Sequence, residues 1–285
     1  AARSDALKQI CHRLAAAVDG LAFGPPVTHV YNPLEYARAP VERYLEMAAA
    51  GRGQSLLLGM NPGPWGMAQT GVPFGTVSRV RDWLGIEAPV ERPANEHPRR
   101  PVLGFGTERD EVSGLRVWGW AQARWGTPER FFERFFVANY CPLLFLEASG
   151  RNRTPDKLAA DERAALFAPC DAALRELVDV IEPVRVIGVG VFAETRARLV
   201  LGDDGPRVGR ILHPSPASPA ANRGWTDAAT RQLEALGVDQ DRRLPQRDLA
   251  GQASDLALEL ADAGLAGVAR DDLANRIVRD GDLVV

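Results

Sequence analysis

The chain has 285 residues, 46% hydrophobic and 25% charged, with a formal net charge of −3. That is the composition of a globular protein with ample core for one large domain or two small ones, and no apolar run approaches a membrane span. Three widely spaced cysteines (Cys11, Cys141 and Cys170) without a CxxC pair imply neither a disulfide framework nor a zinc site, and four scattered histidines imply no metal cluster. A reducing cytoplasm is therefore the expected compartment, nucleoid-associated in a bacterium, and the polar start of the chain does not look like a signal segment. Residues 239–285 carry ten acidic and six basic side chains, which leaves 1–238 at +1. The main body is thus near neutral, and a local basic face is compatible with it.

Taken in order, Leu7, Ile10, Leu14 and Val18 recur at helical spacing and predict a helix over 4–20, which Gly24-Pro25-Pro26 ends. The aromatic VTHVYNPLEY, 27–36, predicts extended chain leading into a turn. Pro40 opens a helix with Tyr44, Met47 and Ala48 facing inward, until Gly51 and Gly53 stop it. Strands are predicted at 55–60, 135–140, 184–189 and 208–212, and helices at 76–84, 115–125, 160–181, 192–200 and 225–236. Thr127-Pro128-Glu129 has the cap-then-proline pattern of another helix start. Residues 87–114 read as a long ordered loop, whose His97, Arg99 and Arg100 are either phosphate ligands or a solvated charge cluster. Cys170, on the 160–181 stripe, reads as a buried thiol. Short apolar strands alternating with helices imply parallel βαβ units with helices on both faces. Residues 239–285 read as a helical appendage of unknown role behind a 1–238 domain.

The segment Gly59–Gly75, rich in Gly and Pro, cannot be regular helix or strand and reads as a rigid loop at a strand end. Its Asn61, Trp65, Met67, Gln69 and Phe74 suit a planar, hydrogen-bonding ligand such as a nucleobase. Two other predicted strands also end on a polar residue, Asn139 in NYCP and His213 in HPSP. In a parallel sheet all carboxyl ends lie on one edge, so Asn61, Asn139 and His213 can converge there. Each can instead be a local cap, and His213 a satisfied core histidine. The set offers amides, an imidazole and backbone N–H groups, without a nucleophilic triad, a P-loop or a metal signature. Such groups stabilise a developing anion. Cleavage of a glycosidic bond, with an anionic leaving group and water trapping the sugar cation, fits them.

LLLGMNPGPWGMAQTGVPFG and HPSPASPAANRGW together resemble the two signature segments of the single-strand-selective monofunctional uracil-DNA glycosylases. VYNPLEY, PVLGF, EVSG, WGTPERFF, NYCPLLFL, GRNRTP and GVGVFAE resemble that family's intervening segments in the same order, over roughly 5–238. The resemblance implies an α/β, three-layer uracil-DNA glycosylase fold with a central four-stranded, mostly parallel sheet flanked by helices. It implies a monofunctional enzyme of base excision repair that removes uracil and 5-hydroxymethyluracil from DNA without strand cleavage, metal or cofactor. By position in the matching motifs, Asn61 would place the catalytic water and His213 would stabilise the charge on the base O2. Phe74 would stack on the flipped base, Asn139 would read its edge, and Met60 and Gly63 would line the pocket by their backbone.

Residues 214–223 (Pro214, Ser215, Pro216, Ala217 and Ser218, with Arg223) would form the loop that penetrates DNA. Partners implied are single- and double-stranded DNA carrying uracil or a modified pyrimidine, with no membrane, and the protein is expected as a monomer. Ala217 stands where the family commonly carries Arg, so Pro216, Ser218 or Arg223 would have to substitute, and strand preference stays open. Trp65 stands where Phe or Tyr is expected. A damaged-DNA binding module without catalysis is the alternative, motivated by Asn61 and Ala217. A hydrolase of free nucleosides is disfavoured, since a penetrating loop serves no small substrate.

Overall fold

A computed structural model describes residues 2–238. The appendage expected over 239–285 lies outside the described residues. The first helix, α1 (Ala2–Asp19), buries Leu7, Ile10, Ala15 and Val18, the stripe its spacing predicts with Ala15 taking the place beside Leu14. After it come strand β1 (Val27–Tyr31), the short helix α2 (Pro33–Tyr36) and α3 (Arg38–Ala48), which buries Tyr44, Leu45 and Ala48. Strand β2 (Ser55–Gly59) is buried at every position, as a central strand covered on both sides must be.

The loop after β2 contains one helical turn, α4 (Met67–Thr70), and leads into α5 (Val77–Asp82). A long connection then reaches α6 (Val112–Trp125) with only a 3₁₀ turn at Gly104–Gly106. This bears out the predicted ordered loop. Helix α6 starts three residues before the predicted boundary, because Glu111 is already in extended geometry at its N-cap. Thr127 caps α7 (Pro128–Phe132) by accepting the Arg130 N–H. Strand β3 (Phe135–Asn139) follows, then β4 (Leu144–Glu147), β5 (Asn152–Arg153) and the long helix α8 (Ala160–Ile181). Strand β6 (Arg185–Val189), α9 (Val191–Leu201) and β7 (Arg207–Ile211) form one βαβ unit, and α10 (Pro219–Asn222) and α11 (Trp225–Ala235) close the described chain.

Four strands form the central sheet in the order β3-β2-β6-β7, every pair parallel. The predicted strands and their parallel pairing are therefore present. A second sheet, β1-β4-β5, is antiparallel and was not predicted beyond the extended character of 27–31. Its strands are short and β1 meets β4 across more than a hundred intervening residues, with a register shift between Val27 and His29. No hairpin turn announces such a pairing.

An aromatic cluster fills one part of the core. Trp118 is fully buried, its ring centroid 5.6 Å from Phe131, 6.0 Å from Trp83 and 6.5 Å from Tyr44, mostly edge to face. Its indole N–H donates to Pro73 O at 3.1 Å, so this cluster also supports the turn before Phe74. At the opposite end of β2, buried Gln54 donates to the carbonyls of Ala48, Phe132 and Phe135, and Arg3 reaches its Oε1. Trp118→Ala should destabilise the domain by about 3–5 kcal/mol, since it leaves a cavity and an unpaired Pro73 carbonyl. A fall in the urea midpoint at unchanged slope would report that loss, and an unchanged midpoint would show that the cluster repacks.

Candidate active site

The carboxyl edge of the parallel sheet carries the site. Strands β2 and β3 end in register, Gly59 opposite Asn139, and their loops stay joined: Tyr140 N–H donates to Gly59 O at 2.9 Å and Cys141 N–H to Met60 O at 2.8 Å. Gly59 has no side chain where two others need the space. A Cβ there would collide with Asn139 Oδ1 and stand 2.8 Å from Phe74 Cζ. Asn139 and Phe74 thus meet over the end of β2. Asn139 Oδ1 is buried and has no hydrogen-bond partner among the described residues, while its Nδ2 donates to Met67 Sδ at 3.2 Å. A buried acceptor left without a donor costs about 1–3 kcal/mol, and this one stands at the carboxyl edge of the sheet, where a ligand's donor would satisfy it.

Phe74 takes φ 55, in the left-handed region that a bulky residue rarely adopts. The surroundings impose it. Gly75 N–H donates to Val72 O at 2.8 Å, Thr76 N–H to Phe74 O at 2.9 Å, and Thr70 Oγ1 to Gly75 O at 2.7 Å. Such a conformation costs about 1–3 kcal/mol and persists only because the surrounding hydrogen bonds over-determine it. Asn61 is half-buried and donates Nδ2 to Leu143 O at 3.1 Å, so its Oδ1 is the end left for another partner.

His213 follows β7 by two residues. Its Nδ1 accepts the Ser215 N–H at 3.1 Å, which places the ring proton on Nε2. Burial lowers its pKa, so the neutral donor form prevails at neutral pH. Gly190, at φ 95 after β6, lies against this ring, and a Cβ there would sit 3.2 Å from His213 Cβ and Cδ2. Asn61, Asn139 and His213 therefore stand on one edge of the sheet, as their positions after the strands predicted.

Other predicted groups have different duties. Gln69, expected among the ligand-facing side chains, is fully buried and spends its amide on Pro64 O, Pro101 O and the N–H groups of Leu103 and Gly104. His97 is a core histidine: its N–H donates to Tyr31 Oη, and its ring meets Ala148 O and the Arg99 N–H. Trp65 is half-buried under two guanidiniums, Arg109 at 4.2 Å and Arg100 at 5.6 Å from the ring centroid.

In the 214–223 loop, Pro216, Ala217 and Arg223 are exposed, while Pro214 is buried and its carbonyl accepts from Arg116 at 2.9 Å. Ser215 Oγ accepts the Ala217 N–H and Ser218 caps α10, so both serines shape the loop. Arg116 also bonds Asn222, whose amide holds Pro216 O. Behind Asn139, Tyr140 Oη donates to Asp171 at 2.5 Å, and Arg196 clamps both oxygens of Asp171. Met67, expected among the ligand-facing side chains, is buried and accepts from the Asn139 amide through its sulfur. Gly59, Gly190, Arg116 and the Tyr140-Asp171-Arg196 group had no site assignment from sequence. Glycines closing two adjacent predicted strands were the available signal for the first two.

No protein-family model matches the chain. It is 50% identical over 228 residues to the single-strand selective monofunctional uracil DNA glycosylase of Mus musculus, covering 79% of this chain and 82% of the mouse protein. The Bos taurus protein of the same name is 52% identical over 220 residues, covering 76% and 81%. The chain belongs to the single-strand selective monofunctional uracil-DNA glycosylase family. A crystal structure of Pedobacter heparinus SMUG2 matches with a TM-score of 0.61 at 18% identity, over 82% of this chain and 98% of that one, a likeness of fold.

In this glycosylase the close packing at Gly59 yields a test. Gly59→Ala keeps an ordinary strand conformation but forces Asn139 and Phe74 apart. Uracil excision should fall about 10²-fold, the scale for misplacing a substrate-positioning group by an ångström. Retained activity in a single-turnover assay would show that the two side chains are not held by this contact.

Proposed function

We propose that the protein hydrolyses the N-glycosidic bond of uracil in DNA and releases the base, leaving an abasic site. The observation that carries this reading is the Asn139 amide, with an unpartnered buried acceptor and a donor satisfied only by sulfur, set beside Phe74 over a strand end without a side chain. A pyrimidine with a donor at N3 and an acceptor at O4 completes both ends of that amide. Such a base must first leave the duplex stack, at a cost of a few kcal/mol. Stacking on Phe74 returns about 1–3 kcal/mol.

In the proposed mechanism His213 donates its Nε2 proton in a hydrogen bond to the base O2. As the bond to the sugar breaks, charge grows on that oxygen, and a neutral donor stabilises it without first giving up its proton. Asn61, anchored through Nδ2, turns Oδ1 to a water that adds to the sugar cation from the side opposite the leaving base. Met60 and Gly63 line the pocket by their backbone. The exposed Pro216-Ala217 tip enters the space left by the base, with Arg223 available to phosphate; Pro214, Ser215 and Ser218 hold the tip in shape. The substrate range we assign is uracil and 5-hydroxymethyluracil in single- and double-stranded DNA, handled by a monomer within the 1–238 domain. The steps use only these side chains and water.

Incubation with a uracil-containing oligonucleotide, then alkali, tests the reading: strand breaks at the uracil position are expected. Binding without alkali-labile sites would favour a damage-binding module instead. His213→Ala should slow single-turnover excision by at least ~10²-fold, and a near-normal rate would remove His213 from its role. EDTA should leave the rate unchanged; loss on chelation would contradict the proposed steps.

A further inference from the structure

Glu111, in the extended residue before α6, has no part in the mechanism above, yet its carboxylate sits directly behind the loop that bears Asn61. A Cβ on Gly63 would collide with both carboxylate oxygens, and one on Gly66 would come within 3.0 Å of Oε2. Oε2 accepts the Trp65 N–H at 3.3 Å. The Glu111 N–H donates to Thr76 Oγ1 at 3.1 Å, and that hydroxyl donates to Asp110 Oδ1 at 2.5 Å. One residue therefore ties the loop after β2 to the starts of both α5 and α6. The three glycine and tryptophan positions it touches lie two to five residues from Asn61.

We propose that Glu111 is a positioning residue, whose carboxylate holds the Gly63–Gly66 backbone from behind and so fixes the loop that presents Asn61. The inference rests on the glycosylase reading given above. Burial pushes Glu111 up to about 7, while the N–H groups of Trp65 and Gly66 pull it back down. A carboxyl whose proton affinity is raised in this way beside a candidate site is a candidate for a functional duty. The charged groups around it are engaged elsewhere. Arg109 stacks on Trp65, Asp110 accepts from Thr76 and Ser78, Arg79 bonds Gln122, and Arg116 bonds Pro214 and Asn222. The loop itself offers Glu111 backbone N–H groups and no ionisable side chain. The ionised carboxylate is the stronger acceptor for those N–H groups, so the rate of excision should rise with pH through the Glu111 titration.

The test compares wild type, Glu111→Gln and Glu111→Ala on a uracil-containing single-stranded oligonucleotide, in single-turnover rate and KM between about pH 5.5 and 9, with thermal melts. Glu111→Ala should lose about 10²-fold in rate with KM changed only a few-fold, because Phe74 and Asn139 still hold the base. Glu111→Gln, equal in shape but without the charge, should stay near the low-pH limb of the wild type, above Glu111→Ala, and lack the wild-type inflection near neutrality. A His213 limb at lower pH should persist. A wild type that excises uracil while Glu111→Ala stays within about threefold of it overturns this inference alone. So does a Glu111→Gln profile that keeps the wild-type inflection. Should Glu111→Ala fail to fold, the profile of Glu111→Gln decides. A wild type that produces no alkali-labile sites defeats the glycosylase reading instead.

Discussion

The parallel pairing of Gly59 with Asn139 is the contact on which the site depends. It brings the last residues of β2 and β3 level, and the two hydrogen bonds beyond it keep their loops level as well. Because Gly59 carries only hydrogen, the Asn139 amide and the Phe74 ring can share the space above its Cα. The neighbouring strand repeats the device with Gly190 against His213. Two glycines at adjacent strand ends thus make room on this edge for the side chains of Asn139, Phe74 and His213. The register of a parallel ladder fixes the positions of those groups.

The geometry of the site is held at some cost to stability. Phe74 stays in a left-handed backbone conformation, Asn139 keeps a buried acceptor without a donor, and Glu111 is a carboxyl largely removed from water. Each raises the free energy of the fold. The offset comes from the fully buried β2, with Leu56, Leu57 and Leu58, and from the aromatic cluster of Trp118, Phe131, Phe132 and Tyr44, whose pairs add about 0.5–1.5 kcal/mol each beyond their burial. The Trp118–Pro73 hydrogen bond joins the two regions, so the rigid core directly restrains the strained turn.

Much of this was legible in the sequence, for local reasons. SLLLG, FFVAN and RVIGV are short, continuous apolar runs between turn residues, and strands buried on both faces read that way. Once their parallel order was inferred, the polar residue after each strand end had to lie on one edge, and Asn61, Asn139 and His213 do. The antiparallel sheet was not legible, since β5 has two residues and β1 and β4 find each other only in the folded chain. Gln69 and His97 looked available because their hydrogen-bond partners come from distant segments that no local pattern names. Glu111 was hidden for the same reason. EVSG was legible only as a segment resembling the family, at the end of a loop, and what its first side chain faces depends on how α6 docks against the loop after β2.

The contact between Asn139 Nδ2 and the Met67 sulfur also fixes which way round the amide lies. Sulfur accepts weakly, yet a carbonyl oxygen turned toward it would gain nothing, so the thioether favours the oxygen turned away from it. Cytosine carries a lone pair at N3 where uracil carries a hydrogen. A cytosine placed against Asn139 Oδ1 would set lone pair against lone pair. Discrimination against the base from which uracil arises by deamination would then rest in part on the methionine side chain that orients the Asn139 amide.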